Sequence, residues 1–308
     1  MSEPAIVTHD LQKIYPAARA VDGLNLNVPA GAVYGFLGRN GAGKTTTMRL
    51  LLGLARLSAG SGRVLGLDIR RDRLAILQRT AFVGERKMLY ESLTAKQLVR
   101  FTASFYASWS HQAAEKYARL LEIPMTQRLS KLSHGNRTKV CLLLALAQGA
   151  DLLVLDEPKS ALDPIMIDQA LRTLLEDHTA EGRTIFFASH HLAEVEQIAD
   201  WVGIIDQGKL LLEARLEDIK NEFRLIIAAG NNLPASTSSQ IISAVPSDRF
   251  RRYVVAREAE AFAAELRSQG AEIVEISPLT LREIFLALLK KEEPCTPGNT
   301  GVTPALVS

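Results

Sequence analysis

The chain has 308 residues, which suits one large domain with a smaller one and exceeds what a single compact core usually organises. Its hydrophobic content of 47% and aromatic content of 6% are ordinary for a soluble α/β protein. The formal net charge of +2 offers no electrostatic argument for binding nucleic acid. Cys141 and Cys295 have neither metal-ligand spacing nor a disulfide framework, which suits a reducing compartment.

No segment of the sequence predicts insertion into a membrane. The first residues lack the basic start and apolar stretch of a signal peptide. The most apolar run, residues 140–147, is far shorter than the ~20 residues that a membrane helix needs. We therefore expect that the chain does not cross a bilayer and that any membrane role depends on a partner.

The first third of the chain carries strand patterns. Residues 5–11 alternate and predict an edge strand, whereas the apolar run 33–37 predicts a buried strand. Further strands are expected at residues 21–28, 63–69 and 80–85.

Residues 38–45 read Gly-Arg-Asn-Gly-Ala-Gly-Lys-Thr, a phosphate loop of the form Gly-x-x-x-x-Gly-Lys-Thr between a buried strand and a helix. Its three glycines let the backbone turn tightly and point N–H groups at phosphate oxygens. The helix N-terminus adds partial positive charge at the same point. We expect Lys44 to reach the β- and γ-phosphates and the Thr45 hydroxyl to ligate magnesium. A Gly-rich turn with a surface lysine is the alternative, which the strand–loop–helix order disfavours.

Between residues 94 and 122 the apolar period becomes helical, which predicts a helical insertion between strands of the main sheet. A further helix is expected over residues 135–148. The side chains assigned to apolar helix faces are Leu98, Phe101, Phe105, Tyr117, Leu120 and Leu121.

Two carboxylates follow the wholly apolar run 152–155, which predicts a parallel strand buried on both faces. Open α/β sheets place ligands at this carboxyl end. We expect Asp156 to hold magnesium and Glu157 to polarise the attacking water as general base. Alone, the pair would equally suit solvated acids at a strand end, but the phosphate loop upstream favours a catalytic role. A second buried strand at 184–187 and a hairpin over 201–212 complete this part of the chain.

Beyond residue 220 the pattern changes to short strands and helices, which predicts a small α+β domain over residues 221–292. Residues 293–308 have little periodicity, and we expect them to be disordered. Strands are expected at residues 224–229, 253–256 and 271–276, and helices at 258–268 and 281–291.

Five motifs together carry a family resemblance: the phosphate loop, the acidic strand end, residues 132–136 (Leu-Ser-His-Gly-Asn), residues 160–163 (Ser-Ala-Leu-Asp) and Ser189-His190. Over residues 5–220 the chain resembles the nucleotide-binding subunit of an ATP-binding-cassette (ABC) transporter. The resemblance implies an α/β fold: a P-loop NTPase cassette over 1–220, with an antiparallel β subdomain and the helical insertion at about 90–148. Residues 277–285 resemble the C-terminal extension of bacterial export-type ATPases.

The resemblance also implies the site. Two cassettes would meet head to tail, each ATP lying between the phosphate loop of one and Ser133 and Gly135 of the other. His190 would contact the γ-phosphate, with His191 as the competing candidate. The implied nucleotide-binding residues are Tyr15, which would stack on adenine, Gly38, Asn40, Gly41, Ala42, Gly43, Lys44, Thr45, Thr46, Ser133, Gly135 and Asp163. The implied magnesium ligands are Thr45, Glu85 and Asp156, and the implied catalytic residues are Lys44, Glu157 and His190.

Two of these residues also have simple structural interpretations, because Ser133 suits a helix N-cap and Asp163 suits an N-cap ahead of Pro164. The implied function is ATP hydrolysis that powers transport, with export as the expected direction, through a separate membrane subunit at the cytoplasmic face of the membrane. The implied partners are a second copy and that membrane subunit, docked on residues 86–94 and the helices up to 122. No direct contact with nucleic acid is expected.

The sequence departs from the family pattern at Glu85, where glutamine is usual, at His134 and Asn136, where glycine and glutamine are usual, and at Lys159, where threonine is common. ATP binding is still expected, but these changes motivate an alternative, a regulatory nucleotide-binding module that does not hydrolyse. A second alternative is a soluble ABC-type ATPase acting on nucleic acid or ribosomes. Such relatives tend to carry two cassettes in one chain or a long coiled-coil insertion, and the sequence has neither.

Overall fold

The computed structural model describes residues 3–85, 89–158, 180, 182–230, 233–234, 241–247 and 250–291. By its internal contacts the chain divides into two compact units, residues 1–219 and residues 220–308. Asp163, Lys159 and the predicted disordered tail lie outside the described residues. Within those residues, no helix is both long and apolar enough to span a bilayer.

The first unit alternates strands and helices. Its strands are β1 (Ile6–Tyr15), β2 (Ala18–Leu24), β3 (Asn27–Val28), β4 (Val33–Leu37), β5 (Ala59–Val64), β6 (Leu67–Asp68), β7 (Thr80–Val83), β8 (Leu152–Asp156), β9 (Thr184–Ser189), β10 (Trp201–Asp206) and β11 (Lys209–Arg215). Its helices are α1 (Lys44–Leu51), α2 (Arg73–Arg79), α3 (Ala95–Ala103), α4 (His111–Leu120), α5 (His134–Ala147), α6 (Leu192–Ile198) and α7 (Leu216–Glu222), the last crossing the unit boundary.

A six-stranded sheet in the order β11-β10-β4-β9-β8-β7 positions the site. Its strands run parallel except for β11, which pairs antiparallel with β10 in the predicted hairpin. Every residue of β4, β8 and β9 is buried, which confirms the interpretation of their apolar runs. The loops that follow the carboxyl ends of β4, β8 and β9 therefore begin at the same edge of the sheet.

The antiparallel β subdomain consists of β1, β2, β3, β5 and β6 in the order β2-β1-β5-β6, with β3 also paired to β1. The predicted edge position of β1 is wrong, because β1 pairs with β2 and β3 on one side and with β5 on the other. The single strand predicted over 63–69 is also wrong. Leu65 and Gly66 both have positive φ (52° and 78°), the backbone of a tight hairpin turn, and the chain folds back there as β5 and β6.

The helical insertion is confirmed in α3, α4 and α5, and each helix has a side-chain N-cap. Thr94 and Gln97 form a capping box at α3, Ser110 accepts the Ala113 N–H at α4, and Ser133 accepts the Asn136 N–H at α5. Leu98, Tyr117 and Leu121 are buried as predicted. Phe101 and Leu120 lie on helices but are exposed, because helical period locates an apolar face and does not say whether another element covers it. The helical position expected for Phe105 is wrong, since α3 ends at Ala103 and Phe105 lies in the turn that follows.

Tyr34 anchors β4, the strand that leads into the phosphate loop. Its ring stacks on Phe186 with a centroid distance of 5.4 Å, and its hydroxyl donates a 2.6 Å hydrogen bond to Glu213 Oε1. Burial, reinforced by the Glu213 carboxylate, raises the pKa of Tyr34, so the phenol keeps its proton. A Cβ on Gly203 would lie 2.2 Å from the Tyr34 hydroxyl, so only glycine fits on the neighbouring strand.

The described residues of the second unit form an antiparallel sheet, with a helix after each of the last two strands in the chain. Its core includes Ile226, Tyr253, Val255, Phe262 and Leu266. The elements are β12 (Phe223–Ala229), β13 (Ile241–Ser247), β14 (Phe250–Ala256), α8 (Ala259–Ser268), β15 (Glu272–Pro278) and α9 (Leu281–Lys291), with the strands in the order β13-β14-β12-β15.

The sequence interpretation missed β13. This strand contains Pro246, which argues against a central strand, and it follows a polar stretch at residues 230–239. It forms an edge of its sheet, where proline is tolerated because one side makes no ladder hydrogen bonds.

Candidate functional site

The phosphate loop connects β4 to α1 and is confined by its neighbours. Gly43 has φ 108°, and a Cβ there would lie 2.3 Å from the Ala20 carbonyl oxygen. A Cβ on Gly38 would lie 2.5 Å from the Ile205 carbonyl oxygen. Neither position admits a side chain, so the glycine spacing reflects steric exclusion as well as backbone freedom.

Lys44, the first residue of α1, is buried and turned back over its own loop. Its ammonium donates to the carbonyls of Gly38 at 2.6 Å and Arg39 at 3.2 Å. It also lies 3.2 Å from Glu157 Oε1. The cation is thus held against its own loop by acceptors that a phosphate oxygen could replace.

Glu157 follows β8 directly and lies between two basic side chains. Besides the Lys44 contact, its Oε2 is 2.8 Å from His190 Nδ1. Its backbone N–H donates to the Ala188 carbonyl at 3.0 Å. Its φ of 50° lies in the left-handed region that non-glycine residues rarely adopt, a conformation maintained only when the surroundings enforce it. The buried carboxylate is therefore held in one orientation at the carboxyl edge of the sheet.

Asp156 is the last residue of β8, and its carboxylate faces α1. Its Oδ2 accepts a 2.8 Å hydrogen bond from the Thr45 hydroxyl. Its Oδ1 is buried and has no hydrogen-bond partner among the described residues. Burial raises the pKa of Asp156, aided by the carboxylates of Glu157 and Glu85 and opposed by Thr45 and Lys44. The Asp156 carboxylate and the Thr45 hydroxyl together offer two neighbouring oxygen ligands of the kind that a divalent cation such as magnesium prefers.

Lys44, Thr45 and Glu157 border one cavity of about 370 Å³, whereas Asp156 is not among the residues that line it. The cavity brings together the loop, a residue that follows β7, the residue after β8 and the residue after β9. It is lined by Ala20, Arg39, Asn40, Gly41, Gly43, Lys44, Thr45, Thr46, Glu85, Glu157 and His190. Gly38 and Ala42 belong to the loop but not to this lining, and Ala42 is buried beneath it.

The remaining candidate residues lie elsewhere. Tyr15 ends β1 with 40% of its surface exposed and the Lys13 ammonium 4.7 Å from its ring centre. Ser133 caps α5 and Gly135 lies in its first turn, and neither lines this cavity. The His191 ring contacts the His190 ring, tilted by 40° with a centroid distance of 3.9 Å, but His191 is absent from the described lining.

Two supporting contacts were not anticipated from the sequence. Arg39 donates to both carboxylate oxygens of the buried Asp206, at 3.2 and 2.9 Å, which ties the loop to the end of β10. Ser189 donates to the buried Glu194 at 2.5 Å and accepts the His191 N–H at 3.0 Å. This second pair fixes the backbone on either side of His190. The sequence feature that could have predicted this contact is the position of Glu194, four residues after His190 and in a segment with a helical pattern.

Comparisons with known proteins agree with this geometry. The sequence model of the family described as "ABC transporter" matches residues 21–160, and a model for an AAA domain matches residues 125–196. The bacitracin transport ATP-binding protein BcrA of Bacillus licheniformis is 38% identical over 221 residues, covering 71% of this chain and 72% of that protein. The daunorubicin resistance ATP-binding protein DrrA3 of Streptomyces coeruleorubidus is 30% identical over 309 residues, covering 94% of this chain and 96% of that protein.

Among solved structures, the dimeric structure of MJ0796, a bacterial ABC transporter cassette, is similar with a TM-score of 0.62 and 22% identity. The match covers 68% of this chain and 98% of that cassette, and at this identity it establishes the fold alone. The fold, the phosphate loop and the extent of the BcrA match lead to one conclusion: this chain belongs to the ABC transporter family and is an ATP-binding, ATP-hydrolysing subunit.

Proposed function

We propose that this ATPase subunit binds Mg–ATP between two copies of itself and powers export through a separate membrane subunit, to which it attaches at the cytoplasmic face. The observation that carries the proposal is the cavity in which the phosphate loop, Glu85, Glu157 and His190 meet. In the part of the chain that the structure describes, this cavity combines a phosphate-binding backbone with a candidate base and a candidate metal site.

The residues fit a magnesium ion. Thr45 and Asp156 would hold it, with Glu85 close enough to the site to raise the pKa of Asp156. When bound, magnesium would neutralise charge on the transferred phosphoryl group. Carboxylate and hydroxyl oxygens are the ligands that this cation prefers.

Hydrolysis would use the two basic contacts of Glu157. When the triphosphate arrives, Lys44 would exchange the Gly38 and Arg39 carbonyls for phosphate oxygens and release Glu157 Oε1. Glu157 would then accept a proton from the water that attacks the γ-phosphorus, while the bond to the bridging oxygen of ADP breaks. His190, held by Glu157 Oε2, would donate to the γ-phosphate oxygens as charge develops.

The proposal of a homodimer depends on two candidate nucleotide-binding residues that do not line the cavity. Ser133 and Gly135 lie at the N-terminus of α5, a 14-residue helix whose free N–H groups and dipole suit a phosphate. They do not line the cavity of their own chain, so they would serve the cavity of a second copy. The solved MJ0796 cassette is dimeric. Within the same proposed composite site, we assign Asp163 to the dimer interface and Tyr15 to the adenine ring.

The membrane subunit would dock on exposed aromatic side chains of the helical insertion. Tyr90, Phe101 and Phe105 are 62%, 45% and 57% exposed and pack edge to face, with centroid distances of 5.5 and 5.1 Å. Adjoining exposed aromatic side chains suit a protein interface. We therefore assign residues 89–94 and the helices up to residue 122 to the membrane contact.

Export is favoured by the relatives, since BcrA is named for bacitracin transport and DrrA3 for daunorubicin resistance. DrrA3 also spans the second unit, so we assign residues 1–220 to the cassette and 221–292 to a C-terminal domain that accompanies it. Bacitracin and daunorubicin are accordingly the first compounds to test.

The test is transport by inside-out membrane vesicles that contain this chain and its co-purifying membrane subunit. We expect ATP-dependent uptake of a labelled compound, lost in a Glu157→Gln variant. The double variant Phe101→Ala, Phe105→Ala should retain ATPase activity as an isolated protein but fail to associate with the vesicles. Phe250→Ala, which removes a similarly exposed aromatic from the second unit, is the matched control. Uptake in the absence of this chain, or efflux from the vesicles, would contradict the proposal.

A further inference from the structure

Positive charge is concentrated in one segment of a nearly neutral chain. Residues 49–79 contain seven arginines and two aspartates, a net charge of +5, whereas the whole chain carries +2. The overall balance therefore conceals a strongly basic stretch, which the motifs of the nucleotide site do not explain.

Three of these arginines surround a second cavity, of about 630 Å³, that shares no described residue with the nucleotide cavity. Arg56, Arg70 and Arg73 line it together with apolar side chains. Its other lining residues are Gly53, Leu54, Ala55, Leu57, Ser58 and Ile69. We call it the arginine pocket.

The nearby acids do not neutralise this pocket. Among the described residues, Arg56, Arg70 and Arg73 form no ion pair. Asp68 Oδ1 accepts the backbone N–H groups of Arg70 and Arg71 at 2.8 and 3.2 Å. Asp72 Oδ2 accepts the backbone N–H of Asp68 at 2.9 Å. The only two acids of the segment therefore support its backbone.

We propose that the arginine pocket docks a segment of the membrane subunit in which carboxylates flank apolar side chains. Three guanidinium groups favour a negatively charged ligand, and a guanidinium group pairs with a carboxylate in a bidentate geometry. The apolar part of the lining, Leu57 and Ile69 among it, calls for aliphatic side chains, and the volume accommodates several of them. The assignment to a membrane subunit rests on the proposed function, whereas the charge preference does not.

A protein segment fits better than a lipid surface. Binding to a bilayer needs apolar side chains that project from a plane, with basic groups around them. Leu54 is 43% exposed, whereas Leu57 is half-buried and Ile69 is buried. A bilayer would therefore meet one projecting leucine, whereas a ligand that enters the pocket would contact all three side chains.

Both walls of the pocket lead to the nucleotide cavity. Helix α1 begins at Lys44 and ends just before Gly53, whose φ of 63° stops the helix beside Arg73. Helix α2 begins at Arg73 and leads through β7 to Glu85. A segment bound in the pocket would thus contact the end of α1 opposite Lys44 and the start of α2, which is connected through β7 to Glu85.

The experiment measures binding of fluorescent peptides by anisotropy at several salt concentrations. The probes are short peptides with an identical leucine centre whose flanking residues are all Glu, all Gln or all Lys. The full chain is compared with the variant Arg56→Gln, Arg70→Gln, Arg73→Gln and with a matched control, Arg49→Gln, Arg63→Gln, Arg71→Gln. The control removes the same charge from exposed arginines of the same segment that do not line the pocket.

We expect the Glu peptide to bind the unmodified chain at least tenfold more tightly than the Gln peptide, and the Lys peptide not to bind. The pocket variant should lose that preference, whereas the control variant should keep most of it. Equal losses in both variants would show general electrostatic attraction and would overturn the proposal, as would absence of Glu-peptide binding.

Co-sedimentation with vesicles of anionic phosphatidylglycerol tests the lipid alternative, and vesicle binding that only the pocket variant loses would also overturn the proposal. Basal ATPase activity, measured in parallel, should be unchanged in both variants because none of the six arginines lines the nucleotide cavity. If the unmodified chain had no ATPase activity, the proposed function would be contradicted. The peptide measurement would still report the charge preference of the arginine pocket.

Discussion

The Lys44 ammonium lies 3.2 Å from Glu157 Oε1, although 113 positions separate the two residues along the chain. The group that should bind phosphate and the group that should accept a proton from water therefore form an ion pair. Both side chains are buried, and a buried charge with no opposite charge beside it has a large desolvation cost. A phosphate that draws Lys44 away would therefore also release the base.

Replacing Glu157 by glutamine should separate binding from hydrolysis. The amide keeps the size of the side chain but cannot accept a proton, and general-base catalysis contributes about 10²–10⁴-fold. We expect ATP turnover to fall by at least about 100-fold, ATP affinity to be retained, and a nucleotide-bound dimer to accumulate on size-exclusion chromatography.

Asp151→Asn is the control for this substitution, since it changes an exposed acid that immediately precedes β8. Normal turnover in the Glu157→Gln variant would exclude Glu157 as the base.

Replacing Lys44 by alanine should weaken ATP binding. Removing one partner of a buried charge pair costs about 2 kcal/mol or more, which corresponds to about 30-fold in affinity. Isothermal titration calorimetry measures the change, with Lys209→Ala at the exposed start of β11 as the control. Unchanged affinity would count against the whole phosphate site.

Replacing Glu85 by glutamine should strengthen nucleotide binding in the absence of metal. Glu85 borders the cavity, and its carboxylate contributes to the raised pKa of Asp156, so it adds negative charge where the phosphates would bind. Because Glu85 is exposed and screened, we expect a gain of about two- to fivefold. Fluorescent-nucleotide titration in excess chelator provides the measurement, and weaker binding than in the unmodified chain would contradict this role.

The start of α9 should make stability depend on pH. The Thr280 N–H and hydroxyl both donate to Glu283 Oε2, at 2.9 and 2.8 Å, and together they lower the pKa of Glu283. A lowered folded-state pKa contributes stability above the unfolded value of about 4.3, and this contribution disappears as the pH falls through the folded value.

Thr280→Ala should therefore cost about 1 kcal/mol near neutral pH. The difference in Tm from the unmodified chain should shrink below about pH 4. Thermal unfolding followed by circular dichroism over this range provides the measurement. Glu283→Gln, which cannot ionise, serves as the control, and a Tm difference between it and the unmodified chain that stays constant with pH would contradict the argument.

The second unit shows how far local patterns reach. The strands at β12, β14 and β15 and both helices were predicted, because their apolar periods are visible within a few residues. Strand β13 was missed because a proline and a polar neighbourhood argue against a strand, and its edge position removes that objection. Whether a strand lies at the edge or in the centre of a sheet is decided only when the sheet is assembled.

Phe101 in α3 and Phe105 just after it lead to the same conclusion. Leu98, on the same helix as Phe101, is indeed buried, but Phe101 is exposed. The helix ends at Ala103, so Phe105 lies in a turn and is exposed as well. Where a helix ends and which elements cover its apolar face depend on the packing around it, so the sequence placed Phe101 correctly on a helix and Phe105 wrongly.

The sequence alone determined the family, the phosphate loop and the buried strands, because glycine spacing and apolar runs act on neighbouring residues. Only the tertiary structure decided that β1 is central, that Lys44 contacts Glu157 and that Arg56, after α1, shares one pocket with Arg70 and Arg73 at the start of α2. These relationships join residues that are not neighbours in the chain, and they arise when the strands pair and the helices pack over them.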